Sequence, residues 1–159
     1  MSQKAVIKQA RVSDAEEILA LQKLAYHSEA EIYDDYTIPP LVQTLREMEA
    51  DIQRQVVLEL TVCGKVVGSV RAFAKEGTCY IGRLIVHPDF QRRGIGTRLM
   101  HHIEMAFRTC KRYELFTGDK SEGNIHLYQK LGYRIFKREK LSDSVTLVYM
   151  EKPSECRQG

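Results

Sequence analysis

The stretch from Thr78 to Cys110 limits the possible folds of this chain more than any other. Thr78 to Val86 reads as a strand, and Pro88 stops it because proline cannot donate to a ladder. The loop Asp89-Phe90-Gln91-Arg92-Arg93-Gly94-Ile95-Gly96 follows. A helix then runs from Thr97 to Cys110, with Leu99, Ile103, Ala106 and Cys110 on one stripe widened by Met100 and Phe107. Strand, basic glycine loop and helix together make an anion site on physical grounds. A helix N-terminus offers unpaired N–H groups and partial positive charge. Gly94 and Gly96 let an anion approach the backbone, and Arg92 and Arg93 add charge. The same residues also read as a plain strand-to-helix turn with solvated arginines. Two nucleotide motifs are excluded: no lysine follows Gly96, as a P-loop requires, and Leu99 stands where a dinucleotide fingerprint needs a third glycine.

The rest of the chain is punctuated locally. Ala5 to Ala10 reads as a strand, and Ser13-Asp14-Ala15-Glu16 as a capping box opening a helix with Ile18, Leu21, Leu24 and Ala25 on one face. His27 to Tyr36 is polar and acidic and reads as an irregular connection. Pro39-Pro40 opens a second helix carrying Leu41, Leu45, Met48 and Ile52. Val56 to Val62, Val66 to Ala74 and Thr78 to Val86, joined by turns at Cys63-Gly64-Lys65 and Glu76-Gly77, form an antiparallel meander. Tyr113 to Thr117 is a strand, and Asn124 to Leu131 a helix closed by Gly132. Tyr133 to Lys140 and Val145 to Glu151 are strands, with a frayed tail from Pro153. The order β-α-α-β-β-β-α-β-α-β-β predicts an α/β (α+β mixed) sheet with helices on its faces. One parallel pair spans the Thr78 to Thr117 crossover.

Length suits one domain, 1–159, with its core at about 4–152. With 24 basic against 21 acidic residues, the net charge of +3 is too small to argue for nucleic acid. Cys63, Cys79, Cys110 and Cys156 show no metal or redox spacing, so no metal is expected and the thiols read as free in a reducing compartment. No apolar h-region opens the chain and no run could span a bilayer, so a cytoplasmic protein without membrane partners is expected.

Arg83-Leu84-Ile85-Val86-His87-Pro88-Asp89-Phe90-Gln91-Arg92-Arg93-Gly94-Ile95-Gly96-Thr97-Arg98-Leu99-Met100 resembles the acetyl-CoA-binding motif of the GNAT superfamily. Asn124-Ile125-His126-Leu127-Tyr128-Gln129-Lys130-Leu131-Gly132-Tyr133 resembles that family's second motif. The element order is similar as well. The resemblance implies the GNAT N-acyltransferase fold, with parallel strands splayed at a cofactor slot, and acetyl transfer from acetyl-CoA to an amine in a ternary complex. It places the CoA pyrophosphate on Gln91, Arg92, Arg93, Gly94, Ile95, Gly96 and Thr97. It places the pantetheine along Leu84, Ile85 and Val86, with Asn124 and Leu127 nearby, and Lys130 within reach of phosphate. Tyr128 matches the tyrosine that protonates the leaving thiolate. Many members carry an asparagine where this chain has Ser121. Homodimers are frequent in the family. The alternative is a non-catalytic acyl-CoA-binding or sensor module on the same fold.

A primary amine with pKa ~10.4 costs about 4–5 kcal/mol to deprotonate at pH 7, so a base is worth having. A backbone N–H such as that of Val86 suits the carbonyl oxygen. Some members carry a glutamate as base where this chain has Tyr80. The remaining candidates are Glu59, which also reads as an outward-facing strand residue, the group Glu29, Glu31, Asp34 and Asp35, and His87. The acidic group, with Tyr80, is also the candidate acceptor site, as a lid drawing in a cationic small molecule or a peptide amine. The acceptor, the base, the oligomeric state and the identity of the acyl group are not legible.

Overall fold

The computed structural model describes residues 4–154. Seven strands form one sheet in the order β1-β2-β3-β4-β5-β7-β6. The strands are β1 (Ala5–Gln9), β2 (Val56–Val62), β3 (Lys65–Lys75), β4 (Thr78–Val86), β5 (Arg112–Gly118), β6 (Arg134–Lys140) and β7 (Thr146–Pro153). Every neighbouring pair is antiparallel except β4 and β5. The meander turns are two-residue hairpins: Cys63 and Gly64 have φ of 53° and 79°, Glu76 and Gly77 51° and 84°. Positive φ at both positions marks the turn whose twist matches the strands it joins.

Five helices cover the sheet: α1 (Ala15–Tyr33), α2 (Pro39–Val42), α3 (Leu45–Arg54), α4 (Ile95–Ala106) and α5 (Glu122–Lys130). Neighbouring residues on a strand point to opposite faces. Val57 packs with Ile18, Leu21, Met48 and Ile52 of α1 and α3. Leu58 and Leu60 pack with Leu99, Met100 and Ile103 of α4. The molecule is therefore helix, sheet, helix. Leu99, Met100 and Ile103 are fully buried, and truncating such a side chain to alanine costs about 2–5 kcal/mol. No helix among the described residues is long and apolar enough to cross a membrane.

Four expectations are corrected. First, α1 does not stop before His27. It runs to Tyr33 because Ala30 and Tyr33 are buried, and Asp34 ends it in the left-handed region at φ 49°. Leu24, expected on its apolar face, is exposed. Second, Ser13 and Glu16 form no capping box; the Arg11 N–H donates to the Asp14 carboxylate at 2.9 Å instead. Third, the helix after Pro39 is two helices. The break at Gln43-Thr44 is made by a true capping box: the Thr44 N–H donates to Glu47 at 2.8 Å, and the Glu47 N–H to Thr44 Oγ1 at 3.2 Å. Fourth, Pro153 belongs to β7, and the Ser154 N–H donates to the Lys111 carbonyl at 2.9 Å. Cys63, Cys79 and Cys110 are free, and Cys79 and Cys110 are buried, while Cys156 lies outside the described residues.

β4 positions the site through two irregularities. Its pairing with β5 covers Thr78 to Tyr80 against Arg112 to Glu114 and then ends, so the strands part. Against β3 the register jumps between Ser69 and Arg71, where Arg83 takes φ 50°. Two residues of β4 oppose one of β3, which is a β-bulge. Before the bulge Cys79 and Ile81 face the α4 layer. After it Leu84 and Val86 do so, while Ile85 faces α1 and α3.

Candidate active site

Where β4 and β5 part, two cavities open. The first, of 440 Å³, is bounded by the loop before α4: Gln91, Arg92, Gly94, Ile95, Gly96 and Thr97, together with Leu84, Ile85, Val86 and Leu127. Arg92 and Gly94 have φ of 65° and 78°, the alternation that turns successive N–H groups toward one point and makes an anion nest. Gly94 also stands at the N-cap of α4, whose first N–H groups have no side-chain cap. A Cβ on Gly96 would lie 3.5 Å from Leu127 and 3.8 Å from Leu84, an ordinary contact, so the glycine leaves the wall shallow rather than preventing a clash. From Ile81 onward the edge of β4 facing β5 lacks a strand partner among the described residues. Such an edge presents backbone N–H and C=O groups to an extended ligand.

The second cavity, of 480 Å³, lies on the side of the strands, with Tyr26, Arg71, Tyr80, Arg83, Glu114 and Tyr128 in its wall. Tyr26, Glu29, Leu84 and Asn124 line both cavities, so the two meet there. Tyr128 is 7% exposed, and its hydroxyl has no hydrogen-bond partner among the described residues. Burial pushes its phenol well above the ordinary range, with the nearby Tyr26 and Glu29 adding to the effect. The group therefore stays protonated and is a donor.

Glu29 accepts a hydrogen bond from Ser121 Oγ at 2.5 Å. Ser121 is itself buried and 3.5 Å from the Tyr33 hydroxyl, which accepts from the Lys120 N–H at 2.6 Å. This cluster fixes the end of α1 against the start of α5. Asn124 Nδ2 donates to Thr117 Oγ1 at 3.5 Å.

Other sequence candidates lie elsewhere. Glu31 is paired with His27 at 3.0 Å on the surface. Asp34 ends α1, and Asp35 accepts from Thr37, which holds its carboxyl below the ordinary range. Of the acidic group, Glu29 alone lines a cavity, so no acidic lid is assembled. Tyr80 does line the strand-side cavity, stacked on Phe73 with centroids 5.3 Å apart. Arg93 lies over the Phe90 ring at 4.9 Å, and Lys130 is exposed; neither lines a cavity. His87 Nδ1 accepts from the Asp89 N–H at 3.0 Å, away from both cavities.

Glu59 is neither an outward-facing residue nor a wall of the site. It is 1% exposed and lines neither cavity. Burial pushes its carboxyl up to about 7, and Asp14 and Glu17 add to this while Lys8, 3.6 Å away, opposes it.

Sequence reasoning missed Tyr26, Tyr33, Arg71, Phe73 and Arg83. Tyr26 and Tyr33 lie one helical turn either side of Glu29–Ala30, a signal that needed α1 to be recognised as continuous.

A family model described as "Acetyltransferase (GNAT) family" matches residues 15–133. Acetyltransferase SG1711 of Sodalis glossinidius is 30% identical over 118 residues, 68% of this chain and 78% of that protein. UPF0157 protein YqkA of Bacillus subtilis is 28% identical over 156 residues, 89% of this chain. The chain spans 45% of YqkA, less than half of that relative's length. In architecture the chain is similar to the PaiA N-acetyltransferase of Thermoplasma acidophilum, solved in complex with coenzyme A. The TM-score is 0.80 at 15% identity, covering 94% of this chain and 99% of that one.

Proposed function

Because this chain belongs to the acetyltransferase (GNAT) family, we propose that it transfers the acetyl group of acetyl-CoA to an amine by direct attack in a ternary complex. The observation that carries the reading is the meeting of the two cavities where β4 leaves β5, with Tyr128 in the wall of the strand-side one. One cavity suits a diphosphate and an extended arm; the other suits a second, smaller molecule.

The residues present fit CoA. The nest and helix N-terminus from Gln91 to Thr97 hold the diphosphate, and the β4 edge from Leu84 to Val86 pairs with the pantetheine amides. Leu127 and Asn124 close the other side. When bound, acetyl-CoA supplies a thioester whose carbonyl carbon the amine attacks: a C–N bond forms, the C–S bond breaks and CoA leaves as a thiol. An N–H of the β4 edge, with Val86 the favoured residue, stabilises charge on the carbonyl oxygen. Tyr128 donates its hydroxyl proton to the departing sulfur. Glu29 holds the incoming amine. One of its oxygens is engaged by Ser121, and the other has no partner among the described residues. The proton lost by the amine passes to Glu29 or to solvent, and Tyr128 is reprotonated in turn.

The test is acetyl-CoA turnover with thiol detection across a panel of amines, amino acids and peptides, with the product read by mass spectrometry. An acetylated amine is the expected product. Tight acetyl-CoA binding without thiol release on any member would assign the chain as a non-catalytic binder.

A further inference from the structure

We propose that the acceptor carries a carboxylate as well as an amine: the strand-side cavity takes a free amino acid, its carboxylate on Arg83 and its amine toward Glu29. The inference rests on reading that cavity as the acceptor site.

Arg83 stands on the bulge of β4, half-buried, in the cavity wall. Its guanidinium makes a single hydrogen bond among the described residues, from Nη1 to Gln43 Oε1 at 2.8 Å. The orientation of that amide is fixed, because Gln43 Nε2 donates to Asp51 at 2.6 Å and Gln22 Nε2 donates to Gln43 Oε1 at 2.8 Å. Asp51 is committed to Arg71, 2.5 Å away. Glu114, also in the wall, is committed to Arg112 at 3.0 Å. Among the described residues Arg83 therefore makes no ion pair; the like charge of Arg71 acts against it, and Asp51, held by Arg71 and Gln43, offsets this least of the charges around it. Burial and the Arg71 charge push its proton affinity below the ordinary range.

A half-buried guanidinium facing a neutral amide and a second arginine is short of counter-charge, which costs free energy until an anion arrives. Its planar fork of donors matches a carboxylate with two parallel hydrogen bonds. The opposite demand exists at Glu29, where a carboxylate faces the junction of the cavities. Tyr26, which lines both cavities, senses both charges. The Phe73–Tyr80 stack supplies an apolar surface for a side chain. At 480 Å³ the cavity falls in the ordinary range for small molecules, about 300–1,000 Å³. A polyamine would bring a second ammonium beside Arg83 and Arg71, so the same geometry rejects the cationic acceptor that the acidic stretch 29–35 implied.

The experiment pairs substrates that differ at one group. The common L-amino acids are assayed for acetyl-CoA turnover, and each is compared with its primary amide and its decarboxylated amine. Binding of the same compounds to the CoA-loaded full chain is measured by calorimetry. Wild type should favour the carboxylate form at least tenfold in kcat/KM and in affinity. Arg83→Gln should collapse that ratio toward one, and Arg83→Lys should restore part of it. Acetyl-CoA affinity reports whether each variant is folded, and if Arg83→Gln fails to fold the wild-type ratio decides alone. Equal or better use of the amides and amines by wild type overturns the inference and leaves amine acetylation standing. Carboxylate-selective binding without turnover does the reverse. Amino acids that are neither bound nor acetylated overturn it outright.

Discussion

Replacing Glu59 with glutamine should stabilise the protein at alkaline pH and leave it unchanged at acid pH. Glu59 is buried on β2 among Asp14 from the turn just before α1, Glu17 from α1 and Lys8 from β1, and its Oε1 has no hydrogen-bond partner among the described residues. Folded, it takes up a proton at about 7 rather than the ordinary 4.5. Between those values the folded chain binds a proton that the unfolded chain does not, so stability falls as pH rises through that window. At about 1.4 kcal/mol per tenfold change in proton affinity, the loss approaches 3 kcal/mol above pH 7. Glutamine carries no charge, keeps the shape and offers an N–H to the Asp14 carboxylate. Urea unfolding of both proteins at intervals from pH 5 to 8.5 measures the difference, with other titrating groups cancelling in the comparison. With a slope near ~2 kcal/mol/M, the gap in midpoints should widen by about 1.5 M from acid to alkaline conditions. A gap that does not change with pH would refute the reasoning, since it would mean that Glu59 is equally ionised in both states.

Tyr128→Phe should lower kcat by roughly 10²-fold with little change in acetyl-CoA affinity, as read by steady-state kinetics and calorimetry; an unchanged kcat removes Tyr128 from the acid role. Gly96→Glu should abolish acetyl-CoA binding while the chain stays folded by circular dichroism, because its Cβ has room and its carboxylate meets the anion site. Gly118→Ala should destabilise by about 1–3 kcal/mol in thermal unfolding. Its Cβ would clash directly with the Tyr33 hydroxyl and drive it off Lys120 and Ser121.

Seven strands, their two tight turns and the loop before α4 were legible because each is specified by residues close together in sequence. Cys63-Gly64 and Glu76-Gly77 announce their hairpins, and Gly94 supplies the positive φ the nest needs. The miss in α1 arose because its last two turns, His27 to Tyr33, are largely polar on the surface and bury Ala30 and Tyr33 against elements distant in sequence. Glu59 interrupts the apolar run Val56 to Val62 at a position that alternation assigns to the outside, yet α1 and the turn before it cover that face. Much of the loop-side cavity's wall is one contiguous stretch, Leu84 to Thr97, whereas the strand-side cavity draws on residues from α1, β3, β4 and α5 that meet only in the folded chain. Arg83 was quoted in the motif from the start, but neither its left-handed backbone nor its lack of a partner acid is written in local sequence.

The bulge on β4 imposes a parity rule. One extra residue near Arg83 is what lets Cys79 and Ile81 share a face with Leu84 and Val86. Delete a single residue there and every later side chain on the strand changes sides. Ile85 would turn toward the α4 layer, and Leu84 and Val86 would be driven under α1. Point substitutions leave this phase intact, and a paired change of two residues would restore it. The segment from Gly82 to Val86 is therefore far more sensitive to a one-residue insertion or deletion than to exchange of the side chains it carries. Within it, the count of residues is a stricter constraint than their identity.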